Sequence, residues 1–305
     1  MIKLKNGHGL DFLCASGALA WYGEGWWWEK PLRWAGFIRP DELTVIGKTL
    51  TFAPRRGNLR MWCPWRCVRL IHGGAVNAVG LTNPGYEWWV ENCARKIEKK
   101  RWKVIASIMP NNAQEASKMA YALDFCPIVG VEVNVSCPNV DHDSSIAHIR
   151  EIIEATLACT DHPVIIKLGY TDPFLDICKE LDGKVDAFDL INTVSWQEMF
   201  PGEPSPLAKY NLVGGVSGEP IKFYARDALM RVAALKLKTP IISGGGISSS
   251  QETYVRFMLG AKAVSLGTVF LRAPWKPKNI IREFRRLHGE SYLLHSQAKE
   301  ELTRS

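Results

Sequence analysis

The sequence has no apolar run of about 18 residues, and so no candidate membrane-spanning helix. It has no GxGxxG after its first apolar segment, which speaks against a dinucleotide-binding open sheet. It has no iron–sulfur cysteine cluster and no NAD fingerprint. Eight cysteines are present, but only Cys63 and Cys67 in MWCPWRC lie close together, and no two further ligands stand at zinc spacing beside them. The opening MIKLKNGHGLDF carries no apolar or Arg/Ser-rich leader, so the expectation is a cytoplasmic protein with reduced thiols. Charge of one sign is also scarce: Lys plus Arg is 38 and Asp plus Glu is 31, a net +7. The only basic clusters, ARKIEKKRWK and IIREFRRLH, have helical spacing beside apolar residues. They read as solvated helix faces rather than a nucleic-acid surface.

What remains is an ordinary globular composition, 47% hydrophobic and 23% charged over 305 residues. Nine of the twelve tryptophans fall between Trp21 and Trp89. They suit a bulky core or subunit contact, with an aromatic lining near a planar ligand as the sharper alternative.

Short Val/Ile/Leu-rich runs alternate with amphipathic segments. Eight read as strands: Phe12–Ala15, Leu43–Thr49, Val104–Met109, Val131–Cys137, Val164–Gly169, Phe188–Val194, Ile241–Gly245 and Ala263–Gly267. Helices are expected at Tyr86–Lys100, Ala113–Leu123, Ile146–Cys159, Pro173–Leu181, Ile221–Leu237, Gln251–Leu259 and Ile280–Leu287. Continuous apolar strands suit a parallel sheet buried on both faces. Eight βα units predict an α/β protein, a (β/α)8 TIM barrel, as a single domain over residues 1–305. The long connections 18–41, 52–82 and 195–219 are expected to cover the active-site face.

In such barrels chemistry sits at the C-terminal strand ends. Those ends carry Lys48; Ser107; Asn134, Ser136, Cys137 and Asn139; Lys167; Asn192 and Thr193; Gly244–Gly246; and Gly267 with Thr268. Glycine-rich turns after strands seven and eight expose backbone N–H groups where barrels bind phosphate, and Gly215 and Gly218 in GGVSG add more. Two lysines and several asparagines beside a phosphate suit a polar planar ring, and a phosphorylated flavin is one. No metal site is expected.

The segments CASGALAWYGEG, IGKTLTFAPRRGN, NAVGLTNPG, VNVSCPN, IIKLG, INTVS, GGVSGEPIK, IISGGGI and SLGT resemble, in order, the dihydroorotate dehydrogenases. The resemblance covers about residues 10–272; the cysteine in SCPN resembles class 1, and the length with the YGEG and APRRGN segments looks most like the class 1B catalytic subunit. It implies an FMN-dependent oxidoreductase of pyrimidine biosynthesis that oxidises dihydroorotate to orotate. Cys137 would be the general base. Lys48, Asn77, Val79, Gly80, Leu81, Asn134, Asn139, Asn192 and Thr193 would bind substrate. Ser16, Gly17, Lys48, Thr49, Ser107, Asn134, Lys167, Gly218, Gly245, Gly246, Gly267 and Thr268 would bind FMN. A homodimer is expected, with an iron–sulfur flavoprotein as the electron-transfer partner, and neither nucleic acid nor membrane. A second reading is a dihydropyrimidine dehydrogenase-like reductase of another pyrimidine. A third is a flavin-binding interaction subunit without activity of its own. Trp196 follows NTVS directly, where a ring of that size would narrow the pocket.

Overall fold

The computed structural model describes residues 1–136, 145–171 and 173–288. Eight parallel strands close into one barrel in chain order: Phe12–Cys14, Thr44–Ile46, Val104–Ile108, Gly130–Asn134, Val164–Leu168, Ala187–Leu190, Ile241–Ser243 and Ala263–Leu266. The eighth pairs with the first, Val264 opposite Phe12, which leaves no free edge.

Side chains alternate along a strand, so every second residue faces the barrel axis. At the bottom these inward positions form one apolar layer: Leu13, Ile46, Ile105, Ile165, Ala187, Ile242 and Ala263, closed beneath by Ile2, Leu4 and Leu10. The last three come from the N-terminal hairpin, Ile2–Lys3 with Gly9–Leu10. Burying each large aliphatic side chain here contributes about 1.5–3 kcal/mol. Two residues further along, the inward positions change chemistry to Ser107, Glu132, Lys167, Asp189, Gly244 and Ser265. The same alternation that builds the core thus carries polar groups to the mouth.

The helices pack outside. Tyr86–Lys100 buries Tyr86, Trp89, Cys93 and Ile97 at spacings of three and four, and its basic residues face out. Asn112 caps Ala113–Asp124 by accepting the Glu115 N–H at 2.9 Å, and Ser249 caps Ser250–Met258 through the Glu252 N–H at 3.1 Å. Helices also form at Ile146–Leu157, Phe174–Glu180 and Lys222–Ala233, each within a few residues of its expected span.

Two expectations need correction. The second, fourth and sixth strands are shorter than expected, ending at Ile46, Asn134 and Leu190. The long connections are not all loops. Val68–Ile71, Gly74–Asn77, Gly215–Gly218 and Val194–Ser195 pair antiparallel as a four-stranded sheet that joins the excursions after strands two and six.

Candidate active site

A cavity of about 870 Å³ opens at the C-terminal ends of the strands. Ser16, Gly17, Lys48, Thr49, Asn77, Val79, Gly80, Leu81, Asn134, Lys167, Asn192, Thr193, Gly218, Gly245, Gly246, Gly267 and Thr268 all line it. These residues come from nine separate stretches of sequence, and the fold brings them together. Cys137 and Asn139 lie outside the described residues. Ser107 is the exception among those described. It is fully buried behind the wall, not on it, because its strand turns the hydroxyl toward Thr49 and Glu132.

The polar wall is held by a continuous hydrogen-bond network. Asn192 Nδ2 donates to Ser136 O at 2.9 Å, and its Oδ1 accepts the Thr193 N–H at 2.8 Å. Ser136 Oγ donates to Lys167 O at 3.1 Å. Asn134 Nδ2 donates to Thr49 Oγ1 at 3.2 Å. Thr49 Oγ1 also lies 2.9 Å from Ser16 Oγ and 3.0 Å from Ser107 Oγ. Ser107 Oγ in turn donates to Glu132 Oε1 at 2.7 Å. Side chains fixed in this way keep their rotamers without help from a ligand. A Cβ at Gly17 would sit 2.7 Å from the Lys48 stem, so glycine there leaves room for the lysine.

Lys167 Nζ donates to Asp189 Oδ2 at 3.1 Å, and both side chains are buried. Burial works against the ammonium, but Asp189 and then Glu132 outweigh it and hold its pKa above the ordinary lysine range. Burial pushes the Glu132 carboxyl up. Lys167 pulls it down and Asp189 pushes it up again, which leaves it at about 7.

Gly245 and Gly246 both have φ of +81°, a conformation open to glycine. Their N–H groups, with those of Gly267 and Thr268, have no acceptor among the described residues. Ser265 Oγ lines the same cavity, buried and without a partner. Unpaired donors gathered beside a cavity fit an anionic group such as a phosphate. The turn is held from behind by Arg256, which is fully buried. Its guanidinium donates to Ser243 Oγ at 2.9 Å, Gly244 O at 3.1 Å and Gly245 O at 2.6 Å, and pairs with Glu252 at 2.7 Å.

The sequence reading missed Arg256, Glu132 and Asp189. Each is a single charge in a periodic or apolar run, and the usable signal was its register. Glu132 and Asp189 lie two residues beyond inward-facing small or apolar positions. The tryptophans divide between the two roles expected of them. Trp89 is core and donates to Trp21 O at 2.9 Å. Trp26 and Trp28 stack 5.5 Å apart and line the cavity with Trp65 and Trp275. Trp196 does not narrow the site. It packs on Phe200, donates to Glu203 O at 2.9 Å and lines no part of the cavity. Cys63 and Cys67 are buried free thiols, and no cluster of metal ligands occurs among the described residues.

Residues 41–287 match the family model described as dihydroorotate dehydrogenase. The catalytic subunit of dihydroorotate dehydrogenase B (NAD(+)) from Geobacter metallireducens is 29% identical over 304 residues, covering 97% of this chain and 92% of that protein. The same subunit from Thermoanaerobacter pseudethanolicus is 33% identical over 278 residues, covering 88% and 84%. A putative dihydroorotate dehydrogenase A (fumarate) from Aeropyrum pernix is 31% identical over 248 residues, covering 79% of each chain. Among solved structures, the Eimeria tenella enzyme in complex with ferulenol has the same fold, with a TM-score of 0.75 at 17% identity, covering 95% of this chain and 84% of that one.

Proposed function

The chain belongs to the dihydroorotate dehydrogenase family, and from this premise we propose that it oxidises dihydroorotate to orotate in pyrimidine biosynthesis, with FMN as cofactor. The observation that carries the reading is one cavity lined both by a buried lysine and by unpaired glycine-turn donors. When bound, FMN supplies the ring that accepts a hydride.

The chain's own residues do the rest. Gly218, Gly245, Gly246, Gly267 and Thr268 hold the phosphate through backbone N–H groups, with Ser265 Oγ as a further donor. Ser16, Gly17 and Thr49 border the ring. Lys167 supplies positive charge where negative charge develops, and Ser107 acts from behind by holding Thr49. Asn77, Asn134, Asn139, Asn192 and Thr193 hydrogen-bond the substrate's amides and carboxylate. Lys48 would contact both ring and substrate, and Val79, Gly80 and Leu81 would contact the substrate. The Cys137 thiolate takes the proton from C5 while C6 gives up its hydride, so one C=C bond forms as two C–H bonds break. A thiol titrates near pH 8.5 in the open, so turnover rises with pH through that group's pKa.

The reading extends to a homodimer in the cytoplasm and to an iron–sulfur flavoprotein partner that passes electrons to NAD. This chain has no NAD fingerprint of its own, and two of the three relatives above are named as catalytic subunits. No helix among the described residues is long and apolar enough to cross a membrane.

The test is the visible spectrum of the purified protein, followed by anaerobic addition of dihydroorotate. One flavin per chain that bleaches with dihydroorotate is expected. A colourless protein that takes up no added FMN overturns the cofactor. Bleaching by dihydrouracil but not by dihydroorotate moves the substrate to another pyrimidine, because a site built for the carboxylate discriminates strongly.

A further inference from the structure

Behind the polar wall lies a group that the scheme above does not use. Glu132 sits on the fourth strand, fully buried, two positions before Asn134. Its Oε1 accepts from Ser107, and its Oε2 has no partner. The groups facing it are Ser107 on the third strand, Lys167 on the fifth and Asp189 on the sixth. Two carboxyl groups and one ammonium therefore share a buried site against the cavity.

Charge arithmetic sets what this cluster does. If both carboxyls are ionised, the site carries a net −1 directly behind the lysine. If Glu132 holds a proton, the net is zero. That proton also solves the hydrogen-bond problem: Asp189 faces Glu132 closely enough to bond with it, but two carboxylates offer only acceptors. A proton on Oε2 turns an unpaired acceptor into a donor to Asp189. A burial-driven rise in the Glu132 pKa agrees with this and places its titration near neutrality.

The cluster is also wired to the cavity. Glu132, Ser107, Thr49 and Asn134 form an unbroken chain of hydrogen bonds at 2.7, 3.0 and 3.2 Å, and Thr49 branches to Ser16 at 2.9 Å. Both branches end on the cavity lining. A hydride delivered to a neutral ring adds one unit of negative charge beside Lys167. In a dry site that charge favours protonation of every nearby acid.

We infer that Glu132 is a redox-linked proton holder, which takes up one proton from solvent when a hydride is loaded onto the ring beside Lys167 and releases it when the electrons leave. The inference rests on the FMN reading above. No co-reactant beyond a solvent proton is needed. The hydride accounts for two electrons and one proton, and Glu132 accounts for a second proton without forming a covalent bond. It acts as a positioning residue through Lys167 and Asp189, keeping the lysine's charge uncancelled while the ring is reduced.

The experiment uses the FMN-loaded protein. Its midpoint potential is measured from about pH 5 to about pH 9, together with a reduced-minus-oxidised infrared difference spectrum. About one pH unit above neutrality, where Glu132 is mostly ionised before reduction, the wild type is expected to take up close to two protons per two electrons. The infrared spectrum is expected to gain the carbonyl stretch of a protonated carboxylic acid on reduction. Glu132→Gln keeps the shape and the bond to Ser107. It is expected to drop to one proton per two electrons and to lose the infrared band. If the variant keeps the second proton, that proton belongs to the ring and the inference fails. If the variant does not fold, the wild-type spectrum decides, and absence of the carboxylic acid band overturns the inference. A protein that binds no flavin fails the FMN reading instead, and this is seen before any titration.

Discussion

On one side of the cavity Asn134, Lys167 and Asn192 stand at or just past the ends of barrel strands. On the other, Trp26, Trp28, Trp65 and Trp275 stand on segments that leave the barrel. Asn134 and Lys167 are 5% and 7% exposed, while Trp65 and Trp275 are 52% and 48% exposed. The first wall is tied at nearly every polar atom to a neighbour fixed by the sheet. On the second, Trp26 and Trp28 stack 5.5 Å apart and the Trp26 ring nitrogen donates to Gly17 O at 3.0 Å. Chemistry that needs sub-ångström placement belongs on the rigid wall. An aromatic wall encloses and excludes water with looser geometry. Substitutions on the strand-end wall should therefore change rate and cofactor binding. Those on the tryptophan wall should change the environment of the cavity.

The largest effect is expected for Cys137→Ala. The variant should fold and hold FMN, because the residues named above in the phosphate turns and the barrel layers do not include it. Flavin reduction by dihydroorotate should slow by about 10²–10⁴, the usual worth of a positioned general base. Stopped-flow bleaching across pH measures it. A wild-type rate with an unchanged pH profile would remove the thiol from the mechanism.

Next comes the support of the glycine turn. Arg256→Ala leaves the Glu252 carboxylate with Arg226 alone and three acceptors on the turn unpaired. Breaking a buried ion pair costs about 3–5 kcal/mol. Urea unfolding should show that loss, and FMN affinity should fall with it because the turn loses its clamp. Stability within about 1 kcal/mol of wild type would mean that the turn holds itself.

Lys167→Met should act less broadly. It removes one positive charge from the polar wall and strands Asp189 and Glu132 together, which protonation of one carboxyl partly relieves. A lost charged hydrogen bond of about 1.5–3 kcal/mol corresponds to about 10–100-fold weaker FMN binding. Equilibrium flavin titration reads it directly. Unchanged affinity would place the ring away from Lys167.

The same contrast explains what the sequence made legible. The eight strands and the polar wall follow from one rule, the alternation of side chains along short apolar runs. Lys48, Asn134, Lys167 and Asn192 could therefore be placed from their positions at run ends. The tryptophan wall obeys no local period. Trp26, Trp28 and Trp65 reach the cavity only because the excursions fold back over the mouth, partly through a sheet whose strands are two to four residues long. Strands that short leave no pattern to read. Arg256 was hidden differently: in a helix of mixed polar character it looks like a surface residue until the glycine turn packs against it.

Glu29 tests the tryptophan wall from inside, with the smallest effect. It lines the cavity beside Trp26 and Trp28 and is 3% exposed. Its Oε2 accepts the Trp26 N–H at 2.8 Å. Burial raises its pKa, the Trp26 N–H lowers it and Glu24 raises it again, to about 7 from an ordinary 4.5. An acid whose pKa is raised on folding binds more protons in the native state than in the unfolded chain. Stability then falls as pH rises from the unfolded pKa through the folded one, and stays low above it. Glu29→Gln keeps an oxygen for the Trp26 N–H but cannot ionise. Near pH 5 variant and wild type should be about equally stable. Near pH 8 the variant should be more stable by about 1–2 kcal/mol, since each pKa unit is worth about 1.4 kcal/mol at most. Glu132 titrates in the same range but is present in both proteins, so it cancels in the difference. Urea midpoints at several pH values give the two curves. Curves that run parallel would mean that Glu29 ionises at no cost. The tryptophan wall would then be as wet as open surface, and the contrast with the strand-end wall would fail on its apolar side.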